Sequence, residues 1–135
     1  MSLKTKVSTG LEAPNALHSQ AIISNGMIYC SGSVGVDLKT KKFVEGGVGA
    51  RTAQAIRNLA LILEKAGSHL NNTVKVNVFL TTMDDYDEVN KVYRTFFAAE
   101  PKPVRTCVAV HQLPFGTDVE VELVAHAGTT TQAKL

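Results

Sequence analysis

The sequence predicts a single α+β domain in which two helices cover one face of a mixed sheet. Residues 73–82 alternate with period two, as a strand does. Residues 50–66 and the stretch opening at Asp84 repeat apolar side chains every three or four positions, as helices do. The 135 residues show no internal repeat, low-complexity tract or linker, so one domain (1–135, with loose tails at 1–13 and 128–135) is expected.

Residues 3–7 suit a short extra strand. Two apolar runs, 20–24 and 27–33, flank Asn25-Gly26, a pair that tolerates positive φ at both positions and so signals a hairpin. Gly46, Gly47 and Gly49 then lead into the first helix. Its buried stripe is Ile56, Leu59, Leu63 and Ala66, and Gly67 stands where a C-cap belongs. In the strand 73–82, Val74, Val76, Val78 and Leu80 are expected on one face, with Lys75, Asn77, Phe79 and Thr81 on the other. The second helix places Asp84 with Asp87, or Asp85 with Glu88, in its positive first turn, and Val89, Tyr93, Phe96 and Phe97 form its apolar stripe. Pro101 and Pro103 forbid its continuation. Strands at 104–111 and 118–127 follow, joined by Leu113-Pro114-Phe115-Gly116. Two helices cover one face only. Strands apolar on both faces (Ile22, Ile23, Val119, Val121, Leu123, Val124) predict that another subunit covers the second.

Composition narrows function by exclusion. Hydrophobic residues make up 44% and charged residues 19%, and no apolar run approaches the roughly 20 residues that span a bilayer. The opening MSLKTKVSTG has no signal core, so a cytoplasmic setting is expected, with the mitochondrial matrix as the alternative. The closing Ala133-Lys134-Leu135 resembles a peroxisomal address. A net charge of +2 gives no argument for nucleic acid, and Lys39, Lys41 and Lys42 read as a solvated turn between strands. Cys30 and Cys107 stand far apart, and His18, His69, His111 and His126 lack ligand spacing, so neither a disulfide framework nor a metal or cofactor is expected.

Alternation in strand 104–111 puts Arg105, Cys107, Ala109 and His111 on one face; in the last strand Glu120 and Glu122 share a face. An arginine fork suits a carboxylate bidentately, and a nearby glutamate can act as base on water. The same residues also suit a structural Arg–Glu pair. Cys107 fits a packed thiol as well as a nucleophile, and His18 a surface histidine.

HSQAI (18–22), YCSG (29–32), residues 51–93, the FF and PKPVRTCVAV within 96–110, and LPFGTDVEVELVAHA (113–127) together resemble the reactive-intermediate deaminase (RidA/YjgF) family. The resemblance covers residues 14–127. It implies a chorismate-mutase-like homotrimer with clefts between subunits, and cofactor-independent hydrolysis of small 2-imino or enamine acids to 2-keto acids and ammonia. It implies that Arg105 anchors the substrate carboxylate and that Glu122 holds and activates the water, with Glu120 in support. Ser31, Gly32, Asn90 and Cys107 are implied to line the pocket. Two positions depart from the family pattern: His18 replaces a tyrosine, and Ser33 replaces a glutamine. A histidine there keeps a hydrogen-bonding role, or marks a paralogue with another substrate or none. The alternatives are a non-catalytic binder of small carboxylates on the same fold and an RNA-binding translation inhibitor.

Overall fold

The computed structural model describes residues 3–11 and 15–128, so Ala133-Lys134-Leu135 lies outside the described residues. In order along the chain come β1 (Thr5–Val7), β2 (Ala21–Ser24), β3 (Met27–Cys30), β4 (Val36–Asp37), β5 (Lys42–Phe43), α1 (Val48–Lys65), β6 (Thr73–Leu80), α2 (Tyr86–Phe96), β7 (Val104–Ala109) and β8 (Val119–His126). Six strands form one sheet in the order β1-β2-β3-β8-β6-β7, and β4 with β5 makes a separate small hairpin. Only the β6–β7 pairing is parallel in the six-stranded sheet, with α2 as its crossover.

Local chemistry accounts for these elements. Asn25 (φ 53°) and Gly26 (φ 80°) both adopt the left-handed conformation that the predicted two-residue hairpin requires. α1 ends in a Schellman motif, in which the Ser68 N–H donates to the Leu63 carbonyl and the Gly67 N–H to that of Glu64. No acidic residue lies in its own first turn, and the Glu88 carboxylate of α2 accepts from the Gly49 N–H at 3.1 Å instead. Lys39 and Lys41 lie in the turn of the β4–β5 hairpin, as composition implies, and Lys42 opens β5. Thr5–Val7, within the stretch expected as a short extra strand, is an edge strand on β2.

The core lies between the helices and one face of the sheet. Ile56, Leu59 and Leu63 of α1 and Val89 of α2 cluster with Val76, Val78 and Leu80 of β6 and Val119, Val121 and Leu123 of β8. Val74 departs from its expected face. A register shift between Thr73 and Lys75 breaks the alternation, so Thr73 turns inward and Val74 is exposed. On the face away from the helices Tyr29, Val104 and Val108 are 49%, 64% and 41% exposed, an apolar surface that the described residues leave uncovered. No described helix is long and apolar enough to cross a membrane.

Candidate active site in two halves

The first half surrounds Arg105. In the parallel ladder Arg105 pairs with Val76 and Cys107 with Val78, so both point to the helix-covered face. Arg105 Nη2 donates to Asn90 Oδ1 at 2.5 Å, and its guanidinium carbon lies 4.4 Å from the Tyr93 ring centre and 5.7 Å from that of Tyr86. Burial pushes the Tyr93 hydroxyl's pKa up, against the pull of the Arg105 charge. One amide and two aromatic faces thus fix a guanidinium whose remaining N–H groups suit a carboxylate. Cys107 is half-buried against the core cluster beside it, while β7 ends at Ala109 and leaves His111 beyond the strand. From sequence, Tyr93 was expected only in the apolar stripe of α2, and Tyr86 was not singled out.

The second half surrounds Glu120. β3 and β8 pair as far as Tyr29 and Val124, and the ladder resumes with reciprocal bonds between Ser33 and Val121. Cys30, Ser31 and Gly32 therefore oppose only Glu122 and Leu123, a bulge that places Gly32 beside Glu120. A Cβ on Gly32 would stand 2.2 Å from Glu120 Oε2, so the carboxylate occupies space only a glycine leaves. Burial raises the Glu120 pKa, and the neighbouring Glu122 charge raises it further. His18, Gln20, Ser31, Gly32, Ser33 and Glu120 line one cavity of about 360 Å³. Ser31 sets its rim: its N–H donates to the Gln20 carbonyl and its Oγ to that of Ser19, which fixes the loop carrying the exposed His18. The Ser33 hydroxyl points inward and donates to the Ala55 carbonyl of α1 at 2.8 Å, a packing bond. Cys30 is a half-buried thiol pushed up to about 12 by desolvation, which makes it a poor nucleophile.

Two features of the geometry bear on the sequence expectations. Glu122 is not among the residues lining this cavity: it lies opposite Asn77 of β6, whose Nδ2 donates to its Oε2 at 3.2 Å, whereas Glu120 lines it. Arg105 and the glutamates do not face a common space within the chain. β6 separates β7 from β8, and Val76 and Asn77, their respective partners, point to opposite faces. Strand alternation cannot reveal either point, because both depend on which strands are neighbours.

The family model described as endoribonuclease L-PSP matches residues 10–127. The chain belongs to this family, that of the RidA and YjgF proteins. The human 2-iminobutanoate/2-iminopropanoate deaminase is 37% identical over 99% of this chain and 98% of its own. The mitochondrial protein mmf1 of Schizosaccharomyces pombe is 45% identical, over 93% and 77% respectively. Among solved structures, RidA from an Antarctic Psychrobacter superposes with a TM-score of 0.83 at 34% identity, covering 90% of this chain and 98% of the other. The α+β fold expected from sequence is the fold of this family.

Proposed function

We propose that the protein is a cofactor-independent deaminase that hydrolyses 2-imino acids to 2-keto acids and ammonia, in clefts between the subunits of a homotrimer. The carrying observation is that an anchored arginine and a carboxylate of raised pKa lie on opposite faces of one chain's sheet. Only the apposition of two subunits brings such groups together, and the uncovered apolar face supplies a surface for it. Deaminase-named relatives, human among them, support the reaction. The cytoplasm is the proposed setting, with the mitochondrial matrix as the alternative that the S. pombe relative's name favours.

Arg105, held by Asn90 and Tyr93, takes the substrate carboxylate as a fork and so fixes the imine carbon. Glu120 of the neighbouring half accepts a proton from water as the water oxygen adds to the protonated imine, and the C=N π pair moves to nitrogen. Glu120 returns that proton to the nitrogen of the resulting carbinolamine. The C–N bond then breaks, ammonia departs, and the carbinol proton leaves with it as ammonium, giving the 2-keto acid. A raised pKa makes Glu120 a stronger base toward water than an ordinary surface glutamate.

The test is the decay of imino acids generated by an amino-acid oxidase, followed by semicarbazide trapping. Acceleration by the native protein, lowered about 10³-fold in kcat/KM by Arg105→Ala, supports the proposal. Carboxylate binding without turnover would replace it with a binding paralogue.

A further inference from the structure

The cavity beside Glu120 is larger than the smallest imino acids need, and its walls say what else it takes. At about 360 Å³ it falls at the lower end of drug-sized ligand sites, which begin at roughly 300 Å³. A methyl or ethyl side chain would fill little of it. Its apolar lining is Val34, Val36, Leu38, Ile62, Pro114 and Phe115. Asn58 and Ser33 of the lining are already hydrogen-bonded within the protein. Asn58 Nδ2 donates to the Val34 and Val36 carbonyls (3.4 and 2.8 Å), its Oδ1 accepts from Gln54 Nε2, and the Ser33 hydroxyl donates to the Ala55 carbonyl. An apolar group entering there strands no polar partner. At the mouth Phe115 holds a left-handed backbone (φ 59°) and is 87% exposed, with its ring 6.4 Å from that of Phe43.

On the reading that Glu120 activates water, we infer that this cavity receives the substrate's side chain and selects 2-imino acids with large apolar side chains, of leucine or phenylalanine type. A side chain ending in a second carboxylate is disfavoured on two counts. Glu120 presents like charge to the same cavity, and the Lys41 ammonium that lines it donates to the Leu11 carbonyl. Each methylene buried in such a pocket changes kcat/KM by roughly 10-fold or more.

The experiment compares kcat/KM for imino acids released in the assay from L-leucine, L-phenylalanine, L-alanine, 2-aminobutanoate and L-aspartate, each by a matching oxidase. The leucine- and phenylalanine-derived compounds are expected to exceed the alanine-derived one by at least about 10-fold. Val36→Phe, which fills the cavity, is expected to abolish that excess. Leu38→Trp serves the same purpose if Val36→Phe does not fold. Preference for the three- and four-carbon compounds, or unchanged preference in a folded filled variant, overturns this inference and leaves the deaminase reading standing. A preference for the aspartate-derived compound overturns it in favour of Lys41 as an anion site. Turnover of none of the five overturns the deaminase reading itself.

Discussion

Asp118 and Glu120 stand two residues apart at the start of β8, yet their environments drive them in opposite directions. Arg51 reaches Asp118 with two parallel bonds, Nε to Oδ1 at 2.8 Å and Nη2 to Oδ2 at 2.7 Å, which hold the Asp118 pKa below the usual range. Glu120 has no ion-pair partner among the described residues, and burial with a like-charged neighbour raises its pKa. The arginines differ in the same way. Arg51 is spent within the chain, whereas Arg105 is steadied by an amide and two rings with no carboxylate paired to it among the described residues. One pair is joined and ties α1 to the sheet; the other is held apart by the sheet itself. The chain thus shows side by side how the same two residue types make a structural contact or stay apart.

Breaking the second pair has the larger consequence for activity. Glu120→Gln is expected to lower kcat by 10²–10⁴-fold, the range for loss of a positioned base, while Glu122→Gln stays near the native rate. Because the base must be ionised, the native rate falls as pH drops through the raised Glu120 pKa, an acid limb above that of an ordinary glutamate. The stability sign is opposite to that of a salt-bridged acid. The folded state binds this proton more readily than the unfolded one, so Glu120 costs stability above its raised pKa, and Glu120→Gln is expected to raise Tm modestly at neutral pH. A lowered Tm with retained turnover would remove Glu120 from the site.

A smaller effect is expected from Gly32→Ala. The new Cβ displaces the end of a flexible side chain rather than backbone, so thermal melting should barely change while kcat falls roughly 10-fold. Equal losses in both would mean that Gly32 serves packing. The smallest effect on catalysis belongs to the joined pair. Arg51→Ala is expected to cost about 1–3 kcal/mol in denaturant unfolding, with the rate per folded molecule unchanged. Asp118 is a depressed acid, so its contribution is present above its unfolded pKa near 4 and fades as pH falls through the lower folded value; the gap between native and variant should narrow in acid.

Much of the fold was legible because local rules and tertiary packing agree in it. Asn25-Gly26, the Gly67 cap and the alternation of β8 each specify their element without help from distant residues. The exceptions are places where the partner decides. Val74 left its face because the register shifts opposite β8, and the first turn of α1 is capped by Glu88 from another helix. The site follows the same division. Strand alternation marked Arg105 and Cys107, and the family resemblance Asn90, Ser31 and Gly32, but Glu120 and Glu122 are indistinguishable by alternation. Only the bulge at Cys30–Gly32 separates them. The separation of Arg105 from both glutamates follows from β6 lying between β7 and β8, a topology no local pattern encodes.

The most direct test of a site shared between subunits is complementation. Arg105→Ala and Glu120→Gln proteins, each silent alone, are dissociated, mixed in equal amounts and reassembled, then assayed for imino acid hydrolysis. If each site takes Arg105 from one subunit and Glu120 from its neighbour, random reassembly makes about a quarter of the sites intact, and activity should return to about that fraction of native. Subunits that exchange fully and remain inactive would contradict the account.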